Sequence, residues 1–335
     1  MPPPGAGPLL VRLPNWLGDL ILAWPVLDAA ANGPVLFVGP GAFEPLVTAR
    51  YPHVRYFSWN RSTRYSLAGV IRRERPRAAL LLTDSFSSAL LVLLAGIPLR
   101  IGYAAEGRTL LLTKRVRREA PSRFTARADE YRALARAAGL VVESRTPSLS
   151  VTVGERRSAH ELLSRSGVSD AVGSVVVAPG AAYGPAKQWG ADRFGEAAAT
   201  IAAPRGWPVL TVGSAADRAA GAAVTARVRA AGANAFDLTG VTSLAELVGI
   251  LAESSLVLTN DSGVMHLAAA LGRPTVALFG STSPVWTSAS APWVANLYAA
   301  YPCSPCYRRT CPIGYGCLRA IHPSRAIEAA TRLLS

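Results

Sequence analysis

The sequence predicts an α/β protein made of two doubly wound domains, each a parallel sheet, facing a central cleft. Three observations carry this expectation. Short, continuously apolar runs suited to buried strands alternate with helical segments. The alternation loosens once, over residues 141–168, into polar and charged text that reads as a linker, and then restarts. At 335 residues the chain is long for a single core. The division expected is therefore residues 1–165 and 166–335.

In the first half, strands are expected at 9–13, 35–38, 54–57 and 78–82, with helices at 20–31, 42–49, 67–74, 85–95 and 129–139. The run at 78–82 has no polar face, which suits a strand covered on both sides. In the second half, strands are expected at 175–178, 208–212, 235–238, 254–258 and 275–279, with helices at 192–202, 219–230, 244–252 and 264–271. Residues 254–279 form the clearest unit. An apolar strand meets the turn and N-cap residues Asn260, Asp261, Ser262 and Gly263, a short helix closes at Gly272 ahead of Pro274, and a second apolar strand follows. A last helix, 323–334, has no home assigned by the pattern, and a return to the N-terminal domain is open to it.

Composition narrows the class. Half the residues are hydrophobic, as a folded protein requires. No apolar run reaches the roughly 18 residues of a membrane span; the longest candidate, 78–99, is broken by Asp84, serines, Gly96 and Pro98. The start, Met-Pro-Pro-Pro-Gly-Ala-Gly-Pro, has neither a basic nor an apolar leader region, so a cytoplasmic location is expected. The net charge of +14 is uneven: residues 1–165 hold 23 Lys/Arg against 12 Asp/Glu, residues 166–335 hold 12 against 9. A basic half can serve nucleic acid, anionic lipid or an anionic substrate, or only solubility. No helix-turn-helix, RNP or knuckle pattern supports nucleic acid. Lysine occurs only at Lys114 and Lys187.

Three strand-end turns carry candidate chemistry. The first, Asn15-Trp-Leu-Gly-Asp19, lacks a G-x-G-x-x-G fingerprint, which disfavours a dinucleotide dehydrogenase. It offers Asp19, able to take a proton from a hydroxyl nucleophile or simply to cap a helix. The second, residues 179–189, carries Gly180, Gly184 and Lys187 but not the G-K-[S/T] of a P-loop. Its backbone N–H groups and the Lys187 ammonium suit an anion; an ordinary glycine-rich loop is the alternative. The third is 260–266, where a helix N-terminus favours phosphate and His266 lies one turn inside, as a phosphate contact or as a packed core residue. Four cysteines, Cys303, Cys306, Cys311 and Cys317, are spaced C-x2-C-x4-C-x5-C. That spacing suits a zinc or iron–sulfur site, or a loop packed by small thiols.

Taken together and in this order, these motifs resemble the bacterial ADP-heptose:lipopolysaccharide heptosyltransferases, glycosyltransferase family 9, and most closely the heptosyltransferase II branch. Residues 84–89, 95–103 and the cysteine tail are similar to the same family. The resemblance implies a GT-B fold of two Rossmann-like domains, with acceptor bound by residues 1–165 and donor by 166–335. It implies inverting, metal-independent transfer of a heptose from ADP-heptose to the lipopolysaccharide inner core, with no cofactor. Asp19 matches the family's base. Gly180, Lys187, Asp217, Thr242, Asp261, Ser262, Gly263 and His266 match donor-binding positions, and Asn15, Trp16 and Arg100 are the acceptor candidates. The implied partners are the nucleotide-sugar and an anionic glycolipid, with peripheral contact at the cytoplasmic face of the inner membrane and a monomeric chain. The sequence departs from relatives at Ala181, Ala182 and Tyr183, where hydroxyl residues occur, and at Thr125-Ala-Arg127, where a histidine is common. Two other readings keep the residues: a GT-B enzyme with another nucleotide-sugar or envelope glycan, and a nucleotide-sugar-binding protein without turnover.

Overall fold

The computed structural model describes residues 7–60, 62–119, 123–168 and 173–335. The proline-rich start, read above as no leader, falls largely on residues 1–6 and lies outside the described residues. The chain divides into two compact units, Met1–Pro147 and Ser148–Ser335.

The first unit holds strands β1 (Leu9–Arg12), β2 (Val35–Gly39), β3 (Arg55–Ser58), β4 (Ala78–Leu81), β5 (Leu99–Tyr103) and β6 (Lys114–Val116). They form one parallel sheet in the order β3-β2-β1-β4-β5-β6. The second unit holds β7 (Val175–Ala178), β8 (Val209–Thr211), β9 (Ala235–Asp237), β10 (Leu256–Asn260), β11 (Thr275–Phe279) and β12 (Val294–Tyr298). Their order is β12-β11-β10-β7-β8-β9, again all parallel. Numbered within each unit, both sheets have the doubly wound order in which the crossovers reverse direction between the first and fourth strands. The central strands are apolar throughout because helices cover both faces: Val11 pairs with Phe37 and Leu80, and Leu258 with Val177 and Val276, all wholly buried.

Several elements differ from the sequence reading, each for a local reason. The expected helix 20–31 is two helices, Leu17–Leu22 and Trp24–Ala31, divided at Ala23. Pro25 has no N–H to continue the first helix, and it sits instead in the first turn of the second. The supposed linker contains a helix, Val153–Arg165. Its start is a capping box: Thr152 Oγ1 accepts from Glu155 N at 3.2 Å, and Glu155 Oε2 accepts from Thr152 N at 2.8 Å. Ala159, Leu162 and Leu163 bury one face of this helix, which packs on helix Leu244–Glu253 of the second unit. The unit boundary therefore falls at Pro147/Ser148 and not after residue 165. Edge strands β6 and β12 were not read, since Lys-Arg-Val lacks an apolar run and Asn296 interrupts the other. The last helix, Pro323–Leu334, buries Ala326, Ala329 and Ala330 in the second unit's own core, beside β11, β12 and helix Ala191–Ala202.

The cysteine tail belongs to the second unit. Cys303 is exposed, Cys306 and Cys311 half-buried and Cys317 buried, all as free thiols. Among the described residues no group of three or more His, Cys, Asp or Glu is gathered as metal ligands, so the spacing is not matched by a ligand cluster. The Cys311 sulfur accepts a hydrogen bond from Tyr315 N at 3.2 Å. Backbone N–H groups of Tyr315, Ile313 and Gly314 hold its thiol below the usual range, while burial pushes Cys317 up.

Two outcomes are expected. Thr152→Ala removes the cap and lowers stability by about 1 kcal/mol, a fall of about 2–4 °C in the melting temperature by calorimetry. Brief iodoacetamide treatment near neutral pH, read by peptide mass spectrometry, labels Cys311 ahead of Cys317.

Candidate functional site

In each sheet the reversal of the crossovers parts two loops at the carboxyl ends of the central strands, which is where open α/β sheets take ligands. In the first unit these are the loops after β1 and β4. The first leads through the half-exposed Trp16, the N-cap of helix Leu17–Leu22, to Asp19 in that helix's first turn. It is braced from beneath by Arg12, a wholly buried cation lying 4.5 Å from the Trp59 ring centre and donating to Asn15 Oδ1 at 2.7 Å. Burial pulls the Arg12 guanidinium down to about 10, still charged at neutral pH. The second loop carries Asp84.

Helix Arg127–Ala137 brings Arg127 and Tyr131 between these carboxylates. Tyr131 Oη donates to Asp19 Oδ1 at 3.0 Å and itself accepts from Arg127 Nε at 3.1 Å. Arg127 Nε lies 3.4 Å from the same Asp19 oxygen, and its Nη1 lies 2.5 Å from Glu130 Oε2 and 3.7 Å from Asp84 Oδ2. Burial, and then the Asp19 charge, hold the Tyr131 hydroxyl well above its usual range, so it stays a donor. Burial disfavours the Arg127 charge, but Tyr131, Asp19, Asp84 and Glu130 outweigh it and raise the guanidinium above its ordinary value. Both side-chain contacts to Asp19 fall on Oδ1. Among the described residues no hydrogen bond reaches Oδ2, so one oxygen is fixed and the other is unengaged.

Asp84 is held by Arg118 at 2.7 Å and by Arg108 at 3.5 Å. Arg118 also pairs with the buried Glu130 at 3.0 Å and lies 4.2 Å from the Tyr103 ring centre. Arg108 is fully buried, donating to Tyr103 O at 3.1 Å and Ser88 Oγ at 3.3 Å. Asp84, Arg108, Arg118, Arg127, Glu130 and Tyr131 were not singled out as site residues from the sequence. The available signal was a second carboxylate, Asp84, at the end of an apolar strand. Arg100 is not brought here. It stands near the start of β5, at the opposite end from Asp84, and its guanidinium donates to Leu111 O and Ile97 O at 2.7 Å each.

In the second unit the parted loops follow β7 and β10. Asn260, fully buried at the end of β10, joins them: its Oδ1 accepts from Trp189 N at 3.0 Å, and its Nδ2 donates to Pro179 O at 2.7 Å. Lys187 and Asp261 form an ion pair at 2.6 Å, with 12% and 3% of their side chains exposed. The same Asp261 oxygen accepts from Thr282 Oγ1 at 2.6 Å and Thr287 Oγ1 at 3.1 Å. Tyr183 lies against the pair, its ring centre 5.0 Å from Lys187 Nζ and 5.4 Å from the Arg309 guanidinium. Gly184, at φ 144°, has no room for a side chain, because an added Cβ would stand 2.7 Å from Arg309 O.

The remaining expected donor residues gather around these loops. Ser262 is the N-cap of helix Gly263–Ala270, its Oγ 3.1 Å from Thr259 Oγ1, and Gly263 is the first helical residue. His266 is buried one turn inside that helix. Gly180 abuts Asp217, since a Cβ at Gly180 would fall 2.1 Å from the carboxylate. Asp217 itself accepts from Ser214 N at 2.8 Å. The β8 and β9 loops are joined by Gly240 N donating to Gly213 O at 2.9 Å, and Thr242 Oγ1 donates to Leu238 O at 2.8 Å. Asn260, Tyr183, Thr282 and Thr287 were missed as site residues, although Asn260 stood out as a turn residue after an apolar strand.

Comparison with known proteins agrees with this geometry. Residues 64–315 match glycosyltransferase family 9 (heptosyltransferase). The chain is 32% identical over 299 residues to lipopolysaccharide heptosyltransferase 2 of Escherichia coli K12, covering 83% of this chain and 84% of that protein. It is 30% identical over 301 residues to lipooligosaccharide heptosyltransferase 2 of Haemophilus influenzae, covering 83% and 85%. The solved structure of E. coli ADP-heptose LPS heptosyltransferase II superposes with a TM-score of 0.80 at 30% identity, covering 98% of both chains. With two doubly wound sheets and these matches, the chain belongs to glycosyltransferase family 9, the heptosyltransferases.

Proposed function

We propose that this enzyme transfers a heptose from ADP-heptose to the lipopolysaccharide inner core, with inversion at the anomeric carbon and without a metal or other cofactor. The observation that carries the reading is Asp19, a strand-end carboxylate with one oxygen fixed by Tyr131 and Arg127 and the other unengaged. The first unit handles the acceptor and the second the donor. An acceptor hydroxyl gives its proton to Asp19 as its oxygen bonds to the anomeric carbon. The bond from that carbon to the β-phosphate breaks, and ADP leaves with the added negative charge. No covalent intermediate forms, so one base suffices. Lys187 and the N-terminus of helix Gly263–Ala270 supply the positive potential that stabilises the leaving diphosphate. Gly180 and the Asp217 and Thr242 loops form the nucleotide side. The acceptor is an anionic glycolipid, which puts the enzyme at the cytoplasmic face of the inner membrane; it works there as a monomer in this reading. Asn15 and Trp16 border the acceptor; Arg100 serves the fold instead.

Asp19→Asn is expected to lower turnover by about a thousandfold while ADP-heptose binding by calorimetry changes little. Turnover near the wild-type rate would overturn the base assignment. Lys187→Ala leaves Asp261 as an uncompensated buried charge. It is expected to cost about 3 kcal/mol of stability as well as donor affinity. The double variant Lys187→Ala/Asp261→Asn regains most of that stability in a thermal melt but not the affinity; if affinity also returns, Lys187 has no part in holding the donor. In a thermal-shift screen, ADP and ADP-heptose raise the melting temperature more than UDP or GDP at equal concentration. A preference for another nucleotide would replace the donor.

A further inference from the structure

Helix Phe86–Leu94, in the longest apolar stretch of the sequence, is apolar on both of its faces. Its inner face, through Ala89, Leu91 and Val92, joins the first unit's core. Its outer stripe is Phe86, Leu90, Leu93 and Leu94, the i, i+4, i+7, i+8 pattern of a single helix face. Phe86 is 48% exposed, and Leu93 and Leu94 are 38% each. Leu99 continues the stripe at 39%. The turn Thr109–Leu111, packed beside this helix, adds Leu110 at 85%. Contiguous apolar surface of this kind marks a contact site.

The charges around it are mainly basic, with Glu74, Asp84 and Glu106 at the borders. Segments 64–73, 86–105 and 107–118 contain no Asp or Glu. Arg72 donates to Leu94 O at the helix end, and Arg115 Nε donates to Thr109 O at 3.0 Å. Arg73 and Lys114 are exposed beside them. Apolar side chains ringed by arginine and lysine complement the headgroup and upper acyl layer of an anionic bilayer, and the helix, at nine residues, is too short to cross one. The stripe begins two residues after Asp84, so its Phe86 end lies at the candidate acceptor site.

We propose that the outer face of helix Phe86–Leu94 together with the Thr109–Leu111 turn is the surface by which the first unit lies on an anionic membrane, holding the Asp19–Asp84 site at the height of a lipid-anchored acceptor. This deepens the acceptor reading above and rests on it for its purpose, not for the binding itself.

The test is co-sedimentation of the full chain with vesicles of phosphatidylcholine alone and of phosphatidylcholine mixed with phosphatidylglycerol. Binding is expected only with the anionic vesicles and weakens as salt rises. Leu93→Glu/Leu94→Glu, and separately Leu110→Glu, are expected to reduce that binding at least about tenfold, with unchanged melting temperature and unchanged turnover on a delipidated, soluble acceptor. Absence of wild-type binding at low salt, or equal binding by the variants, overturns the proposal. So does a wild-type dimer that the same variants split into monomers without any vesicle binding, which would make this a surface between copies. Vesicle binding with no heptose transfer to any acceptor supports this surface and overturns the function instead.

Discussion

A parallel sheet cannot join neighbouring strands by tight turns; every strand end must send the chain over one face or the other. Where successive crossovers leave over opposite faces, two loops are pushed apart and a crevice opens at the carboxyl ends of the strands they follow. That constraint acts twice in this chain, beside β1 and β4 and beside β7 and β10. Asp19 and Asp84 sit at the first of those places, Lys187 and Asp261 at the second. The apolar strands beneath bring no chemistry of their own; they fix the height at which Asp19, Asp84, Lys187 and Asp261 emerge.

The two places solve the burial of charge differently. In the first unit the charges form a mesh, with Arg108, Arg118 and Arg127 shared among Asp84, Glu130 and Asp19. Sharing spreads the cost of taking each ion from water over several partners. Within the mesh Tyr131 is a neutral member that passes a hydrogen bond from Arg127 to Asp19. In the second unit the charges form one isolated pair, Lys187 with Asp261, steadied by two threonine hydroxyls. Asn260 supports this pair without carrying charge, since its side chain ties the loop bearing Lys187 to the strand bearing Asp261.

The sequence made the strand–helix alternation, its restart in the second half and the strand-end positions of Asp19, Lys187 and Asp261 legible, because each rests on local pattern. What it hid depends on contacts between distant segments. Arg127 and Tyr131 stand more than a hundred residues from Asp19, and nothing in their own helix marks them as other than an amphipathic pattern. Asn260 reads as a turn residue until its two loop partners are placed around it. Arg100 misled for the converse reason: an arginine in a stretch shared with relatives looked functional, yet its position near the start of β5 puts it at the wrong end of the sheet. The linker misled because Val153–Arg165 is polar on its outer face, and its cap, Thr152 with Glu155, was the overlooked sign.

The Lys187–Asp261 pair has a further consequence. At 2.6 Å, Asp261 is a competitor tethered beside the only ammonium in the loop. Any anion that engages Lys187 must first contend with a carboxylate present at very high local concentration. That competition caps the affinity for every phosphate-bearing ligand alike, the spent nucleotide included. A ligand gains a lasting hold only by satisfying more of the site than Lys187. In the function proposed above, the pair acts as a return spring that reclaims the ammonium once the nucleotide leaves.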